Sequence, residues 1–166
     1  MRLHFIPRAA LALMGATGLL AGGSAASSAQ QLPQESPTAA VSAPADTRPI
    51  QTFANMATGS CLDDSYEFGL RGFGCNGGPW QQWRVRVWSE DATRQLENVA
   101  TKECLYDDGV TLDTRRCDSS RQQSWFAHKN GDRVVFENQA TGECLDDSEY
   151  GLRTIVCSHN THQKWR

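Results

Sequence analysis

Residues 61–83 read CLDDSYEFGLRGFGCNGGPWQQW, and the same arrangement occurs twice more further along the chain. Each copy begins with Cys-Leu, continues through an acidic segment to a second Cys, and ends with Gln-x-Trp. The first Cys recurs after 43 and then 40 residues, and the Trp after 42 and then 40. Such a period is typical of repeat architectures, in which each unit needs its neighbours to bury an apolar face. Three units without a fourth favour a closed object with pseudo-three-fold symmetry.

The apolar residues of each repeat come in short runs that predict β-strands. Residues 83–88 alternate apolar and charged side chains, and residues 51–55, 95–98 and 134–138 form similar runs before each Cys-Leu. Turn dipeptides separate the runs, and Asn130-Gly131 predicts a hairpin. About four strands per repeat give roughly twelve strands, whereas three propeller blades would fall below the usual minimum of about four. The sequence therefore predicts an all-β fold, a β-trefoil.

Six cysteines in the chain allow 15 disulfide pairings from sequence alone. The repeat reduces this number, because two cysteines stand at equivalent places in each unit, separated by 14, 13 and 13 positions. No Cys-x-x-Cys spacing indicates a zinc site. We therefore expect one structural disulfide per repeat: Cys61–Cys75, Cys104–Cys117 and Cys144–Cys157.

The first 48 residues predict export followed by a flexible leader. A basic start, an apolar run over residues 9–22 and small residues up to Ala29 are typical of a secretory signal peptide. Residues 30–48 are rich in Ala, Ser, Pro and Gln and offer little to bury, so we expect disorder there and one domain over residues 49–166. Removing residues 1–29 takes two of the 16 Lys and Arg and none of the 19 Asp and Glu, which changes the net charge from −3 to −5. We expect a secreted protein without a membrane anchor, and the acidic balance excludes nucleic acid and anionic membranes as partners.

Together, these features resemble the ricin-type β-trefoil lectin domain. The segments Cys-Leu-Asp, Gly-Leu-Arg, Cys-Asn-Gly and Gln-Gln-Trp of the first repeat carry the resemblance, which extends over residues 50–166. All three Gln-x-Trp signatures are present, at residues 81–83, 123–125 and 163–165. The resemblance implies carbohydrate binding. In this family the carboxylate after Cys-Leu accepts hydrogen bonds from two neighbouring sugar hydroxyls, and a ring two residues before the second Cys carries the apolar face of the sugar.

The three copies of this site are unequal. The first repeat has the full set of candidate carbohydrate-binding residues, and the third has most of it, with Ile155 in place of the ring so that Tyr150 would have to help. The second repeat has Tyr106 in place of the carboxylate, Asp113 in place of the arginine and Arg115 in place of the ring, and we expect it to be silent. The candidate residues are Asp63, Arg71, Phe73 and Gln81 in the first repeat and Asp146, Arg153 and Gln163 in the third.

Structural roles compete with these assignments. The three Trp residues of Gln-x-Trp are expected to form the core near the three-fold axis. The Gln two positions earlier would lie on the same strand face, where its amide serves polar groups of the protein, with sugar contact as a secondary role. The family pattern has Asn or a similar residue before this Gln, whereas Trp80, Gln122 and His162 stand there. The Asp-Asp-Ser segment, finally, is also a common polar turn.

Catalysis, metals and cofactors find no support in the sequence. A glycosidase needs two carboxylates on opposite sides of a bond, and the side chains of Asp63 and Asp64 would point in different directions along a strand. His159 and His162 lack a third metal ligand, and we expect both to be exposed to solvent. We therefore expect a monomeric module without enzymatic activity that binds glycans. The alternative is a protein-binding β-trefoil, such as a toxin accessory subunit or an inhibitor.

Overall fold

The computed structural model describes residues 46–90 and 92–166, and the predicted signal peptide and most of the predicted leader lie outside them. The described residues form eleven strands and three short 3₁₀ helices. The strands are β1 Ile50–Gln51, β2 Ser60–Ser65, β3 Gly69–Gly74, β4 Trp83–Val87, β5 Arg94–Asn98, β6 Glu103–Asp107, β7 Leu112–Arg116, β8 Trp125–Asn130, β9 Arg133–Asn138, β10 Glu143–Ser148 and β11 Gly151–Val156. The 3₁₀ helices are Pro79–Gln81, Arg121–Gln123 and Thr161–Gln163. In this part of the chain, none of the helices is both long and apolar enough to cross a membrane.

Each repeat contributes one antiparallel hairpin that starts at its Cys-Leu: β2–β3, β6–β7 and β10–β11. The hairpins β4–β5 and β8–β9 join one repeat to the next. Roughly twelve strands were predicted; Trp165, in the final segment, instead makes isolated bridges to Asn55 and Val134. These bridges bring the last repeat against the first, so the three units close on themselves as the sequence predicted.

The core contains equivalent residues from each repeat. Trp83, Trp125 and Trp165 are fully buried, as predicted, and they pack with the Leu that follows each first Cys. Each indole N–H donates to the backbone oxygen of that Leu in its own repeat, at 3.0–3.1 Å. A buried indole removes about 200 Å² from water without leaving its polar group unpaired. This arrangement explains why the Trp of Gln-x-Trp recurs in register with Cys-Leu.

The three predicted disulfides are confirmed, each within its own repeat: Cys61–Cys75, Cys104–Cys117 and Cys144–Cys157. Each bond links the start of a Cys-Leu hairpin to the residue just beyond that hairpin. In the chain-entropy description, closing a loop of this length stabilises the fold by about 3 kcal/mol. The hairpins that carry the candidate site residues are therefore fixed covalently at their base.

The position predicted for the Gln of Gln-x-Trp is wrong. The sequence placed it on the strand of the Trp, but Gln81, Gln123 and Gln163 each end a 3₁₀ helix. In each case the Gln backbone N–H donates to the carbonyl three residues earlier, at 3.0–3.2 Å. The strand alternation therefore begins only at the Trp. The Gln side chain instead donates a hydrogen bond to the last residue of the preceding hairpin.

Neighbouring repeats are joined by buried or partly buried hydrogen bonds that we call staples. The Asp three residues after each repeat's first Cys accepts a hydrogen bond from the hydroxyl of a Thr, which stands three residues before the first Cys of the next repeat. The staples are Asp64–Thr101 at 2.5 Å, Asp107–Thr141 at 2.8 Å and Asp147–Thr58. The third staple runs from the last repeat back to the first, so the set forms a closed ring.

Residues 46–48, which the sequence analysis assigned to the leader, contact the domain. Arg48 forms ion pairs with Asp46 and Glu97, both at 2.6 Å between Nη2 and a carboxylate oxygen. Arg84 approaches Asp46 at 3.3 Å. The hydrogen bonds from Arg48 hold the pKa of Asp46 well below its usual range. Contacts with the domain therefore include residues 46–48, just before its predicted boundary at residue 49.

Candidate functional site

The register of the hairpins places a carboxylate opposite an arginine in the first and third repeats. Asp63 of β2 pairs with Arg71 of β3, and Asp146 of β10 pairs with Arg153 of β11. Side chains directly opposite each other in an antiparallel pair share one face of the sheet. The arginine Nε accordingly donates to the Asp Oδ1 at 3.0 Å in the first repeat and 3.1 Å in the third. The structure thus brings together two of the predicted residues at each site.

The two members of each pair differ sharply in exposure. The side chains of Asp63 and Asp146 are 3% and 2% exposed, whereas those of Arg71 and Arg153 are 29% and 38% exposed. Within the described residues, Oδ2 of each Asp makes no hydrogen bond. Each site therefore consists of a recessed carboxylate with one free oxygen and a guanidinium at its mouth.

In the first repeat, Arg71 lies between two aromatic rings. Its guanidinium carbon is 4.5 Å from the ring centroid of Phe68 and 4.1 Å from that of Phe73. These distances are within the range of attractive cation–π contacts. Phe73 was predicted as a platform for a sugar; it is 44% exposed, but it also supports the arginine. The planar guanidinium is consequently held in one orientation above Asp63.

Two more aromatic residues line the same cleft as this arginine. Tyr66 and Trp80 meet edge to face with ring centroids 5.3 Å apart, and the Tyr66 hydroxyl donates to the Ala100 carbonyl at 3.2 Å. Together with the Asp63–Arg71 pair they enclose a cleft of about 280 Å³. The cleft is lined by Asp63, Ser65, Tyr66, Glu67, Phe68, Arg71, Phe73, Asn76 and Trp80.

Sequence reasoning missed Tyr66 and Phe68 as members of the first site. The available signal was the departure from the family pattern at Trp80, where a bulky ring replaces a small amide. That departure indicates a reshaped cleft, but it does not identify the rings that Trp80 meets. Their position depends on the loop of residues 66–68, whose conformation no repeat pattern specifies.

The third repeat holds a reduced version of the same site. Arg153 lies 5.0 Å from the ring centroid of Tyr150, which is 74% exposed. Ile155 pairs with Cys144 at the position that Phe73 occupies in the first repeat. A single ring at the hairpin turn therefore takes the place of the two phenylalanines.

The second repeat has a different arrangement. Tyr106 lies opposite Asp113, and the guanidinium of Arg115 stacks on the Tyr106 ring at 3.8 Å. The phenol donates to Asp108 at 3.0 Å; partial desolvation and then this contact raise the pKa of Tyr106. The backbone N–H of Thr114 donates to Asp113 at 2.8 Å. The recessed carboxylate of the other two repeats has no counterpart at the position of Tyr106.

The predicted site residues Gln81 and Gln163 lie beneath the sites. Both side chains are fully buried. The Gln81 amide donates to the Gly74 carbonyl at 3.0 Å and accepts from the Asn76 N–H at 2.8 Å, and Gln163 makes the equivalent bonds in the third repeat. Gln123 does the same in the second repeat, which lacks the carboxylate. The three amides therefore bind backbone groups at the end of each hairpin and just after it.

The histidines have separate partners. His162 shares a hydrogen bond of 2.9 Å with the Asp147 carbonyl and is half-buried, whereas His159 is exposed and stacks on His128 with ring centroids 6.0 Å apart. His159 also lies near the sulfurs of the third-repeat disulfide, the one trio among the described residues with the spacing of metal ligands. Because both cysteines are in the disulfide, their sulfurs are not thiolate ligands.

A larger groove of about 710 Å³ lies elsewhere, lined in part by residues 49–53 and 131–134. Phe53, Phe136 and Trp165 contribute apolar surface to it, and Arg94 and Lys129 contribute positive charge. Neither the sequence analysis nor the hairpin geometry places a candidate site residue there. The main candidate site is therefore the smaller cleft, where the recessed carboxylate of Asp63 meets several exposed rings.

Comparison with known proteins agrees with the fold. The family model described as the ricin-type beta-trefoil lectin domain matches residues 50–165. No curated protein matches the chain in sequence. Solved structures do match, among them ThreeFoil, a designed three-fold symmetric protein that is 18% identical, with a TM-score of 0.64 over 70% of this chain and 96% of that one.

Two further solved structures have natural sources. The Macrolepiota procera ricin B-like lectin in complex with lactose is 18% identical, with a TM-score of 0.61 over 74% of this chain and 96% of that one. The Haemophilus ducreyi cytolethal distending toxin has a matching chain that is 16% identical, with a TM-score of 0.60 over 70% of this chain and 80% of that one. The chain also matches three longer proteins, of which it covers 17–31%. With three disulfide-closed repeats, a core of three tryptophans and a family match over most of its length, the chain belongs to the ricin-type β-trefoil lectin domain family.

Proposed function

We propose that this chain is a secreted carbohydrate-binding module with sugar sites in its first and third repeats. The observation that carries the proposal is the recessed carboxylate of Asp63 and of Asp146, each with one oxygen that makes no hydrogen bond within the described residues. A carboxylate offers acceptors suited to the hydroxyls of a sugar diol, and bonds to a charged acceptor are the stronger kind. Lactose bound to the Macrolepiota procera lectin supports the same class of ligand.

The first repeat is proposed as the stronger site. Asp63 lies in a cleft with the exposed rings of Tyr66, Phe68 and Phe73, which offer apolar surface to the C–H face of a sugar. The third repeat offers the ring of Tyr150. Each site is shallow and should bind a monosaccharide weakly, so useful affinity would come from glycans that engage both sites at once.

The proposed role is binding without catalysis. Hydrolysis of a glycosidic bond needs a second carboxylate on the other side of that bond. Asp64, the neighbour of Asp63, is 2% exposed and accepts hydrogen bonds from Thr101 and Thr114 instead of facing the cleft. Secretion is supported by the three disulfides, which persist in oxidising compartments.

The test is a glycan array probed with the wild-type protein and with an Asp63→Asn/Asp146→Asn variant. The variant keeps the shape of both sites but removes the charged acceptors. We expect binding to fall by roughly ten- to a hundredfold, since a hydrogen bond to a charged group contributes about 1.5–3 kcal/mol. Asp113→Asn, on the matching hairpin of the second repeat, is the control and should leave binding unchanged. Equal binding by wild type and the double variant would refute the assignment.

A protein-binding role is the second candidate. The observations that favour it are the exposed aromatic group at Tyr66, Phe68 and Phe73, a composition common in protein interfaces, and the likeness to a chain of a bacterial toxin. On this hypothesis the rings matter and the carboxylates do not. A folded, disulfide-bonded protein that binds no glycan on a broad array would favour this candidate over the first.

A further inference from the structure

We infer that the two sites recognise acidic glycans, meaning sugars that carry a carboxylate or a sulfate group. The inference rests on the proposed carbohydrate-binding function and specifies its ligand. Its basis is the arginine at the mouth of each site. A neutral sugar diol needs only the carboxylate, whereas each site here adds a fixed cation beside it.

Arg71 has N–H donors that are available to an anion. Its Nε is used by Asp63, but its two Nη groups make no hydrogen bond among the described residues. Stacking between Phe68 and Phe73 fixes the plane of the guanidinium without using its N–H groups. A guanidinium presents a planar fork of donors that matches carboxylate and similar oxyanions in a bidentate manner, and orienting it beforehand lowers the entropy lost on binding.

The same arrangement occurs in the third repeat with different support. The Nη groups of Arg153 likewise make no hydrogen bond in the described part of the chain, and its Nε is held by Asp146 at 3.1 Å. The stacking ring is Tyr150, from a hairpin turn one residue shorter than that of the first repeat. Since the supporting rings differ and the arginine geometry does not, the exposed guanidinium is a shared property of the two sites.

The net charge of the chain and the carboxylate of Glu67 also bear on the inference. The chain as a whole is acidic, with a net charge of −3, so these arginines are not part of a generally basic surface. Glu67 also lines the first cleft, is exposed, and forms no ion pair among the described residues. Its charge should oppose an incoming anion. Glu67→Gln is therefore expected to raise the affinity for an acidic glycan.

The experiment compares matched glycan pairs that differ only in charge. The probes are oligogalacturonate and its methyl ester for the carboxylate arm, and galactose oligomers with and without 6-sulfation for the sulfate arm. Binding is measured by calorimetry at 50 and 300 mM NaCl, concentrations between which screening increases. We expect the wild type to prefer the acidic member of at least one pair by tenfold or more, and the preference to shrink at the higher salt concentration.

Variants assign the preference to the arginines. Arg71→Gln/Arg153→Gln keeps an amide donor near each Asp and removes the charge, so we expect the ratio of acidic to neutral affinity to fall at least tenfold. Arg71→Lys/Arg153→Lys keeps the charge without the fork and should retain part of the ratio. The control is Arg86→Gln, which removes another ring-stacked arginine, 5.0 Å from the Trp88 ring, and should not change the ratio.

The outcomes separate this inference from the proposed function. Equal affinity for acidic and neutral partners in the wild type, or a preference that survives removal of both arginines, overturns the acidic-glycan inference and leaves a neutral lectin. Absence of binding to every member of both pairs and to a broad array, by protein with unchanged melting temperature, overturns the carbohydrate function together with the inference. Sulfate-only or carboxylate-only preference supports the inference and identifies the anion.

Discussion

Thr101→Val tests whether the staples between repeats stabilise the domain. Thr101 is 8% exposed, and its hydroxyl donates to Asp64 at 2.5 Å across the boundary between the first and second repeats. Valine has nearly the same shape as threonine and creates little empty space. The substitution removes this hydrogen bond and also the longer one, 3.4 Å, that the hydroxyl accepts from the Glu103 N–H. Asp64 would keep one hydroxyl donor, Thr114, at 3.0 Å.

The expected loss follows from the burial of the carboxylate. A hydrogen bond to a charged group contributes about 1.5–3 kcal/mol to stability. For a domain of this size, each kcal/mol changes the melting temperature by roughly 3–6 °C. We therefore expect Thr101→Val to melt about 5–18 °C below the wild type in a calorimetric scan at pH 7 with the disulfides intact.

The control for this variant is Thr161→Val, an exposed threonine whose hydroxyl makes no hydrogen bond among the described residues. Its stability should stay within about 0.5 kcal/mol of the wild type. Thr141→Val, which removes the staple to Asp107, should behave like Thr101→Val. If both staple variants have the same melting temperature as the control, the staples do not contribute to stability and the reasoning is wrong.

Three other predictions concern the fold. Gly72→Ala should lower the stability by about 1–3 kcal/mol, because its new Cβ would lie 2.6 Å from Oδ1 of Asp147. The control is Gly74→Ala, whose Cβ would lie in open space, and urea unfolding compares the two variants. Burial raises the pKa of Asp64, so the folded state binds a proton more readily than the unfolded chain does. The free energy of unfolding of the wild type, relative to that of Asp64→Asn, should therefore fall as the pH rises from about 4 through the folded pKa. A difference between the two proteins that is independent of pH would contradict this. Gln123→Met should lower stability by about 2–4 kcal/mol, because it leaves two backbone groups of the second repeat without partners, while glycan binding by the remaining folded protein stays unchanged.

The repeat pattern was sufficient to predict the fold and the disulfides. Equivalent cysteines in each unit reduced the pairings to one plausible set, and Trp83 and its equivalents stand where a three-fold core requires a large apolar residue. The staples also left a signal that the sequence analysis did not use. A Thr stands three residues before the first Cys of every repeat, and an Asp stands three residues after it.

The candidate site was less predictable than the fold. The sequence analysis assigned Asp63 and Arg71 to one site without predicting their contact, which follows from the register of the hairpin. It did not indicate that Arg71 would lie between Phe68 and Phe73, because stacking depends on the loop that carries Phe68. The position of Gln81 was misjudged for a related reason, since a single 3₁₀ turn interrupts the strand alternation that the prediction assumed.

The ring of staples has a consequence for how the chain can be connected. The junction between the last and first repeats, with Asp147 bonded to Thr58 and Ala54 joined to Arg166 by two backbone hydrogen bonds, is built like the two junctions that the chain passes through continuously. We therefore expect the fold to form whichever repeat comes first in the polypeptide. A circularly permuted chain, cut at the Gly131-Asp132 turn and linked between its original ends, would retain all three junctions and both candidate sites.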